Sequence, residues 1–343
     1  MRTLAQTLFD LSSPAVQKWL GAAKALILLP HSLWLVHCEF DMESGPGTYV
    51  GEGLSFDYFR ELYGARVRRS ARIPLWRARC IISEAVAKRE LVLVEVNRLL
   101  RYTLPPGGFD SSPWIRQVVD VAGDCYLKRR TAIESTWGRK VRQHSYECRC
   151  SQRIEDIEFF FREFYVPYTR LRYGPSASIR NLVLLHRGLH SSFLLQVWDG
   201  DVWIAGAAVL RRHDSGVHVA GLALHPSHTD RLHDGALSAA YYFLFRWARE
   251  NGVRFVSLGG SRPNLADGVF LHKMRWGASP VHDPWHHTVV RFYVESCERL
   301  PPPVLRQLIE VEGGFQTIGQ ADTRASARPE RCQTIPSNST ELR

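Results

Sequence analysis

Between Phe193 and Leu258 the chain follows a pattern that leaves few folds open. Phe193 to Val197, an Asp199-Gly200 turn and Val202 to Arg211 read as a β-hairpin with a type I′ turn. Asp214-Ser215-Gly216 makes the next turn, and Val217 to Leu224 the third strand. A loop with His225, Pro226, His228, Arg231 and His233 follows. Asp234 then opens a helix, Gly235 to Asn251, closed by Gly252 just past its end. Val253 to Leu258 is apolar and reads as a buried strand. A short helix around Phe270 to Met274 and a last strand, His287 to Val294, complete an order β-β-β-α-β-α-β.

The stretch Leu258 to Pro280 is the candidate site. Gly259 and Gly260 let the backbone turn sharply or approach a ligand closely. Ser261, Arg262, Pro263, Asn264 and Asp267 form a polar loop. One lysine, Lys273, then stands among Phe270, Leu271, Met274 and Trp276. A strand that hands over to a polar loop through two glycines is a common place for a site in an α/β protein.

The first 135 residues give a weaker α/β signal. Ser13 to Lys24 can form a helix, with Ser12 or Ser13 as N-cap and Pro14 in the first turn. Leu26 to Phe40 reads as strand or buried helix. Gly45 to Gly53 reads as a loop with turn glycines, because it lacks a phosphate-loop lysine. Phe56 to Tyr63 and Pro74 to Lys88 read as helices, and Leu91 to Val96 as a strand. After Pro105-Pro106-Gly107-Gly108, the run Asp110-Ser111-Ser112-Pro113 can start another helix.

Ser135 to Arg153 is basic, either a solvated helix face or a rim for an anionic substrate. Ile154 to Tyr173 is an aromatic amphipathic helix that Pro167 kinks or ends. Pro301-Pro302-Pro303 precedes a short helix to about Glu312. From Gly313 the chain is polar and without periodicity, so a disordered tail is expected over 313–343.

Lys and Arg exceed Asp and Glu by 44 to 34, for a net charge of +10. That favours an anionic partner such as a phosphorylated small molecule, a nucleotide or RNA, or else serves solubility. The arginines are scattered and give no dedicated nucleic-acid face. Seven cysteines without a regular framework fit reduced thiols in a cytosol. No signal peptide is read at the N-terminus, and Trp19 to Val36 is too short and broken to span a bilayer. A cytoplasmic protein without membrane insertion is expected. The histidine groups His225/His228/His233 and His282/His286/His287, and His144 with Cys148 and Cys150, lack zinc-site spacing, so no metal is expected.

This layout resembles the acyl-CoA N-acyltransferase (GNAT) fold. It is most similar to the branch of Fem-type peptidyltransferases and acetyltransferases of cellulose and exopolysaccharide biosynthesis. Four pieces carry the resemblance: Thr136-Trp137-Gly138-Arg139-Lys140-Val141-Arg142 with Arg172-Tyr173-Gly174; Gly206-Ala207-Ala208-Val209-Leu210; Trp247 through Gly260; and Val269-Phe270-Leu271-His272-Lys273-Met274-Arg275-Trp276-Gly277. Their order over roughly 135–294 is more specific than any one piece. The resemblance implies an α/β (α+β) fold of tandem GNAT-like domains, with mixed, mostly antiparallel sheets flanked by helices. A degenerate domain over 1–135 would precede the acyltransferase domain at 136–312.

It also implies direct acyl transfer, without a covalent intermediate, from acyl-CoA to an amine of a sugar or peptide envelope precursor. Arg231, Gly235, Ala236 and Leu222 would hold the donor, acetyl-CoA being the simplest. Helix N-termini bind pyrophosphate well, but Asp234 stands where the family has glycine. Lys273 would stabilise developing negative charge and Asp267 would orient or deprotonate the acceptor. Arg262, Asn264, Ser261 and Trp276 would contact substrate, and His225 or His228 could act as base. Two rivals stand beside this reading: an aminoacyl-tRNA donor, and a non-catalytic GNAT-fold subunit of polysaccharide assembly.

Overall fold

The computed structural model describes residues 13–174, 179, 181–183, 192–212, 216–294, 300–312, 314–321 and 335–336. The turn expected at Asp214-Ser215 lies outside them. The chain divides into two compact units that interleave along the sequence. The first unit takes Ala15–Arg116, Gly260–His272 and Pro280–Arg343. The second takes Met1–Pro14, Gln117–Gly259 and Lys273–Ser279.

In the first unit, helix α1 (Pro14–Ile27) leads to β1 (Trp34–Met42), β2 (Gly45–Gly51), α2 (Phe56–Tyr63), β3 (Arg66–Pro74), α3 (Leu75–Ala87), β4 (Leu91–Asn97) and β5 (Phe109–Ser111). With β13 (Thr288–Tyr293) these strands form a six-stranded mixed sheet in the order β3-β1-β2-β4-β13-β5. Central β4 is buried at every position, as a strand covered on both faces must be. One face packs Leu35, Ile82, Val92 and Val94. The other packs Phe40, Phe59, Leu93 and Phe292.

Four expectations change here. Gly45 to Gly51 is a strand, not a loop, paired with both β1 and β4. Its glycines answer crowding: a Cβ on Gly47 would stand 2.4 Å from the Phe40 ring, and one on Gly51 2.6 Å from the Glu95 carbonyl oxygen. Asp110-Ser111-Ser112-Pro113 starts no helix. Ser111 donates its hydroxyl to the Leu308 carbonyl at 2.6 Å, and the chain runs on as β6 (Ile115–Asp120). The strand after His287 belongs to the first unit's sheet, where Val289, Val290 and Phe292 are buried beside β4. Within the expected tail, β15 (Gly314–Thr317) pairs with β14 (Leu308–Val311), because Phe315 and Ile318 are buried.

The second unit contains α4 (Asp124–Ile133), β7 (Tyr146–Ser151), β8 (Ser192–Asp199), β9 (Val202–Arg211), β10 (Val217–Leu224), α7 (Ala236–Glu250) and β11 (Phe255–Ser261). Before β8, helix α5 (Ile154–Phe159) passes through a π-turn at Phe160–Tyr165 into α6 (Val166–Tyr173). The wider turn precedes Pro167, which has no N–H to continue an α-helical ladder. The sheet has seven strands in the order β12-β6-β11-β10-β9-β8-β7, with β12 at Ser279–His282. The β8–β9 hairpin forms as expected, but positive φ occurs at Gly200 (58°) and not at Asp201. A lone positive φ at the first central position suits a II′ turn, not I′. Helix α7 buries Ala236, Ala239, Ala240, Leu244, Phe245 and Ala248 against the sheet.

Both units are therefore mixed sheets flanked by helices, and the second has the β-β-β-α-β layout of GNAT-like folds. Helix α7 stops where Val253 N–H donates to the Ala248 carbonyl at 2.8 Å across Gly252, whose φ is 67°. A Cβ at Gly252 meets nothing within 4 Å, so its only cost is backbone strain. Gly252→Ala is expected to lower stability by roughly 1–2 kcal/mol and Gly252→Asn by less, in urea titrations of both variants.

Candidate functional site

Among the described residues, the parallel strands β10 and β11 pair at Val217 with Val256 and at His218 with Ser257. Beyond that point β10 runs on to Leu224 and β11 to Ser261, with no further β10–β11 register among the described residues. Two backbone irregularities mark this fork. β10 slips against β9 between Val219 and Gly221. β11 enters the left-handed region at Gly259, with φ of 78°. At the base of the fork, buried His218 Nδ1 and Ser257 Oγ lie 3.1 Å apart. Leu222, half-buried, lies on the diverging part of β10.

The first unit has the corresponding parallel pair, β2 with β4, but keeps it closed from Gly47–Leu91 to Gly51–Glu95. Glu52 N–H then donates to the Glu95 carbonyl at 3.0 Å. The end of that pair is filled by the fully buried Glu95 side chain. Tyr49 hydroxyl donates to it at 2.6 Å, and Ser55 contributes its N–H and hydroxyl, both at 2.9 Å. Burial pushes the Glu95 carboxyl above its ordinary pKa.

In the second unit a helical turn, Arg231–Asp234, precedes α7. Gly235 takes φ of 90°, and a Cβ there would stand 3.1 Å from the Lys140 side chain and 3.6 Å from Trp137. Lys140 Nζ donates to the His233 carbonyl at 2.6 Å. Asp234 does not cap α7; it turns to Arg231 at 3.4 Å. Asp199 at 3.1 Å and Asp230 at 3.8 Å complete a ring of carboxylates around that guanidinium, which raises its pKa, Asp199 most. His144 stands 4.0 Å from Asp234 and stacks on Tyr146. The buried Tyr146 hydroxyl has no hydrogen-bond partner among the described residues. Burial, then Asp234, pushes its pKa up to about 12.

The polar loop is divided between the units. Ser261, Arg262, Asn264 and Asp267 belong to the first, and Lys273 and Trp276 to the second. Arg262 lies over the rings of Tyr58 (4.6 Å) and Trp114 (4.2 Å) and donates to Ser55 Oγ and the Pro113 carbonyl, each at 3.2 Å. Ser261 is buried. Asn264 is fully buried, donating to the Pro303 carbonyl and Gln307 Oε1 and accepting from Ala266 N–H. Asp267 Oδ1 accepts the Phe270 N–H at 2.8 Å, an N-cap for α8 (Gly268–Arg275). Lys273 is 6% exposed. Trp276 is fully buried, stacked on Trp137 and tilted against Tyr241 and Phe245. His225 accepts from Ser227 N–H and packs on Phe164. No group of three or more metal-ligating side chains is assembled among the described residues. Sequence reasoning named neither His218 nor Ser257; both sit in apolar runs.

No family model matches the chain. No curated protein matches it either. Solved structures do. L-PGS from Bacillus licheniformis is 11% identical, with 76% of this chain and 85% of that one covered and a TM-score of 0.37. FemX is 12% identical, with 73% and 81% covered and a TM-score of 0.38. A tandem GNAT protein from the clavulanic acid biosynthesis pathway is 13% identical, with 66% and 73% covered and a TM-score of 0.32.

The loop after β12 offers a pH test of the first unit. His286 stacks on Trp114 and lies 3.6 Å from Asp283; burial lowers its pKa to about 4. The unfolded chain therefore takes up a proton, from about pH 6.5 downward, that the folded protein refuses until about pH 4. Stability is full above that window and falls through it. The loss from this group should reach about 3 kcal/mol, and His286→Gln should flatten the slope between those limits in urea titrations.

Proposed function

We propose that this protein is an acyltransferase of the GNAT type, moving an acyl group directly from a carrier to an amine. The fork between β10 and β11 carries the reading. Where β10 and β11 diverge, an extended, amide-bearing arm such as that of an acyl-CoA can lie along β10 and bond to its backbone. The closed β2–β4 pair, sealed by Glu95, supports a supporting role for the first unit. The amine attacks the acyl carbonyl, the tetrahedral oxyanion collapses, the carrier leaves and the amine sheds its proton.

We assign Lys273 to the oxyanion, since a buried ammonium exerts a stronger field than an exposed one. Asp267 acts through α8, whose first turn it caps. Arg262 and Ser261 form the acceptor-side loop, and Asn264 and Trp276 hold the two ends of that stretch in place. Leu222, Gly235, Ala236 and Arg231 belong to the donor side. The acceptor is an amine of a sugar or peptide envelope precursor, as in the Fem-type and exopolysaccharide branch, and the setting is the cytoplasm. Residues 136–312 would be the acyltransferase portion and 1–135 a degenerate GNAT-like one.

A second reading has its own observation. Arg231 is already matched by Asp199, Asp230 and Asp234, which a pyrophosphate would have to displace. An aminoacyl-tRNA donor needs no pyrophosphate there, and a net charge of +10 favours it.

Titrating acetyl-CoA and CoA while following the melting transition decides between them. A ligand bound only by the folded state adds ~2.7 kcal/mol at a hundredfold excess over its dissociation constant. The CoA reading expects a shift that Arg231→Ala removes. No shift, with tRNA binding that weakens steeply with salt, transfers the assignment to the second reading; silence to both leaves a non-catalytic subunit. With a working donor, Lys273→Met should lower kcat about a hundredfold at nearly unchanged KM. Unchanged kcat would remove Lys273 from the mechanism.

A further inference from the structure

Helix α1 turns its buried and exposed faces in an unusual way. Gln17, Gly21 and Ala25 are buried. A Cβ on Gly21 would fall 2.1 Å from the Pro284 carbonyl oxygen, and Asn97 Nδ2 donates to the Ala25 carbonyl at 2.7 Å. That face is docked. The opposite face should be polar. Instead Val16, Trp19, Ala23, Leu26 and Ile27 fall within an arc of about 100° at helical spacing. Trp19 is 69% exposed, Leu26 64% and Ile27 73%.

The apolar run continues past the helix. Leu33 ends the short turn Leu29–Leu33, and Trp34 opens β1; both are exposed. The Trp34 ring meets that of Trp76, 73% exposed at the start of α3, edge-on at 6.2 Å. Arginine surrounds this pair. Arg72 lies on β3 in register with Val36, next to the Trp34–Pro74 end of the ladder, and Arg77 and Arg79 follow Trp76. All three are exposed, as is Lys18 on α1. Further along β3, Arg68 pairs with Asp41 at 3.4 Å and Arg69 stands opposite Glu39, so the acidic groups lie toward the far end of that strand.

We infer that this face of the first unit docks peripherally on an anionic lipid bilayer, with the α1 stripe, Leu33, Trp34 and Trp76 in the interface and Lys18, Arg72, Arg77 and Arg79 at the headgroups. The inference does not depend on the acyl-transfer reading. Tryptophan and aliphatic side chains beside arginine and lysine match the boundary between acyl chains and headgroups. A second copy of this chain would bring like charges together. A nucleic acid would find phosphate partners but nothing for Val16, Leu26 and Ile27, since such interfaces are polar and wet. No described helix is long and apolar enough to cross a membrane, so the contact is with the surface.

Flotation of the full chain with vesicles tests it. Binding is expected to mixed phosphatidylcholine–phosphatidylglycerol vesicles and only weakly to pure phosphatidylcholine, with a blue shift of tryptophan emission on binding. The double variant Leu26→Glu/Ile27→Glu should lose at least about tenfold in affinity. Arg77→Gln and Arg79→Gln should each lose about fivefold, with salt weakening the wild type similarly. These positions are exposed, so melting temperatures should hold. Absence of vesicle binding, or equal binding by the double glutamate variant, overturns the inference. So does a wild-type dimer in sedimentation velocity that Leu26→Glu/Ile27→Glu dissolves, which would give the face to a second copy. Protection of Trp19 from acrylamide quenching in the free protein would overturn it too, because the stripe would then be covered already.

Discussion

A parallel strand pair with two residue pairs among the described residues must satisfy its remaining backbone groups elsewhere, and the second unit is built around that requirement. The separation comes from the backbone itself. β10 slips one residue against β9, and β11 adopts a left-handed conformation at Gly259. A bulge increases local twist and bends its strand. Helix α7 then joins the two strands, its small-residue face of Ala236, Ala239, Ala240 and Ala248 seating closely on the sheet. The aromatic cluster of Trp276, Trp137, Tyr241 and Phe245 lies in the same core.

The first unit shows the alternative outcome of the same pairing. Its parallel strands stay hydrogen-bonded through Gly51 and Glu95, and a carboxyl group plugs the end. An unpaired buried carboxylate would be costly. Tyr49 and Ser55 supply donors to both oxygens, and Gly53 N–H in turn donates to the Tyr49 hydroxyl at 2.9 Å. The loop Glu52–Ser55 is thereby fastened to the strand ends, with Glu52 held by His287 at 3.1 Å and by Ser32. Among the described residues, one parallel pair diverges after two residue pairs and the other stays paired to its end.

Electrostatics separates residues that look alike in the sequence. Arg231 and Arg262 both stand in polar loops. Arg231 is ringed by three carboxylates, whereas Arg262 is partly buried between two aromatic rings, and burial lowers its pKa. Asp234 and Asp267 both precede helices, yet only Asp267 caps one.

Much of the architecture was legible because it rests on local rules. Two apolar runs and Gly200 announce the β8–β9 hairpin, Gly252 ends α7, and Phe56–Tyr63 shows its helical period directly. The polar loop between Gly259 and Trp276 was also legible as a break between apolar runs. What escaped depends on neighbours distant in sequence. Gly47 and Gly51 read as turn residues because nothing local reveals Phe40 and Glu95 pressing on them. The strand Thr288–Tyr293 reads as the end of one sheet because its pairing with Leu91–Asn97 spans most of the chain. His218 and Ser257 are unremarkable in sequence and meet only where β10 and β11 touch. Composition and periodicity set which segments are strands and helices. Which strands adjoin, where one pair diverges and which arginine is ringed by carboxylates were decided by the tertiary structure, because register, crowding and ion pairing act between residues that the chain itself keeps far apart.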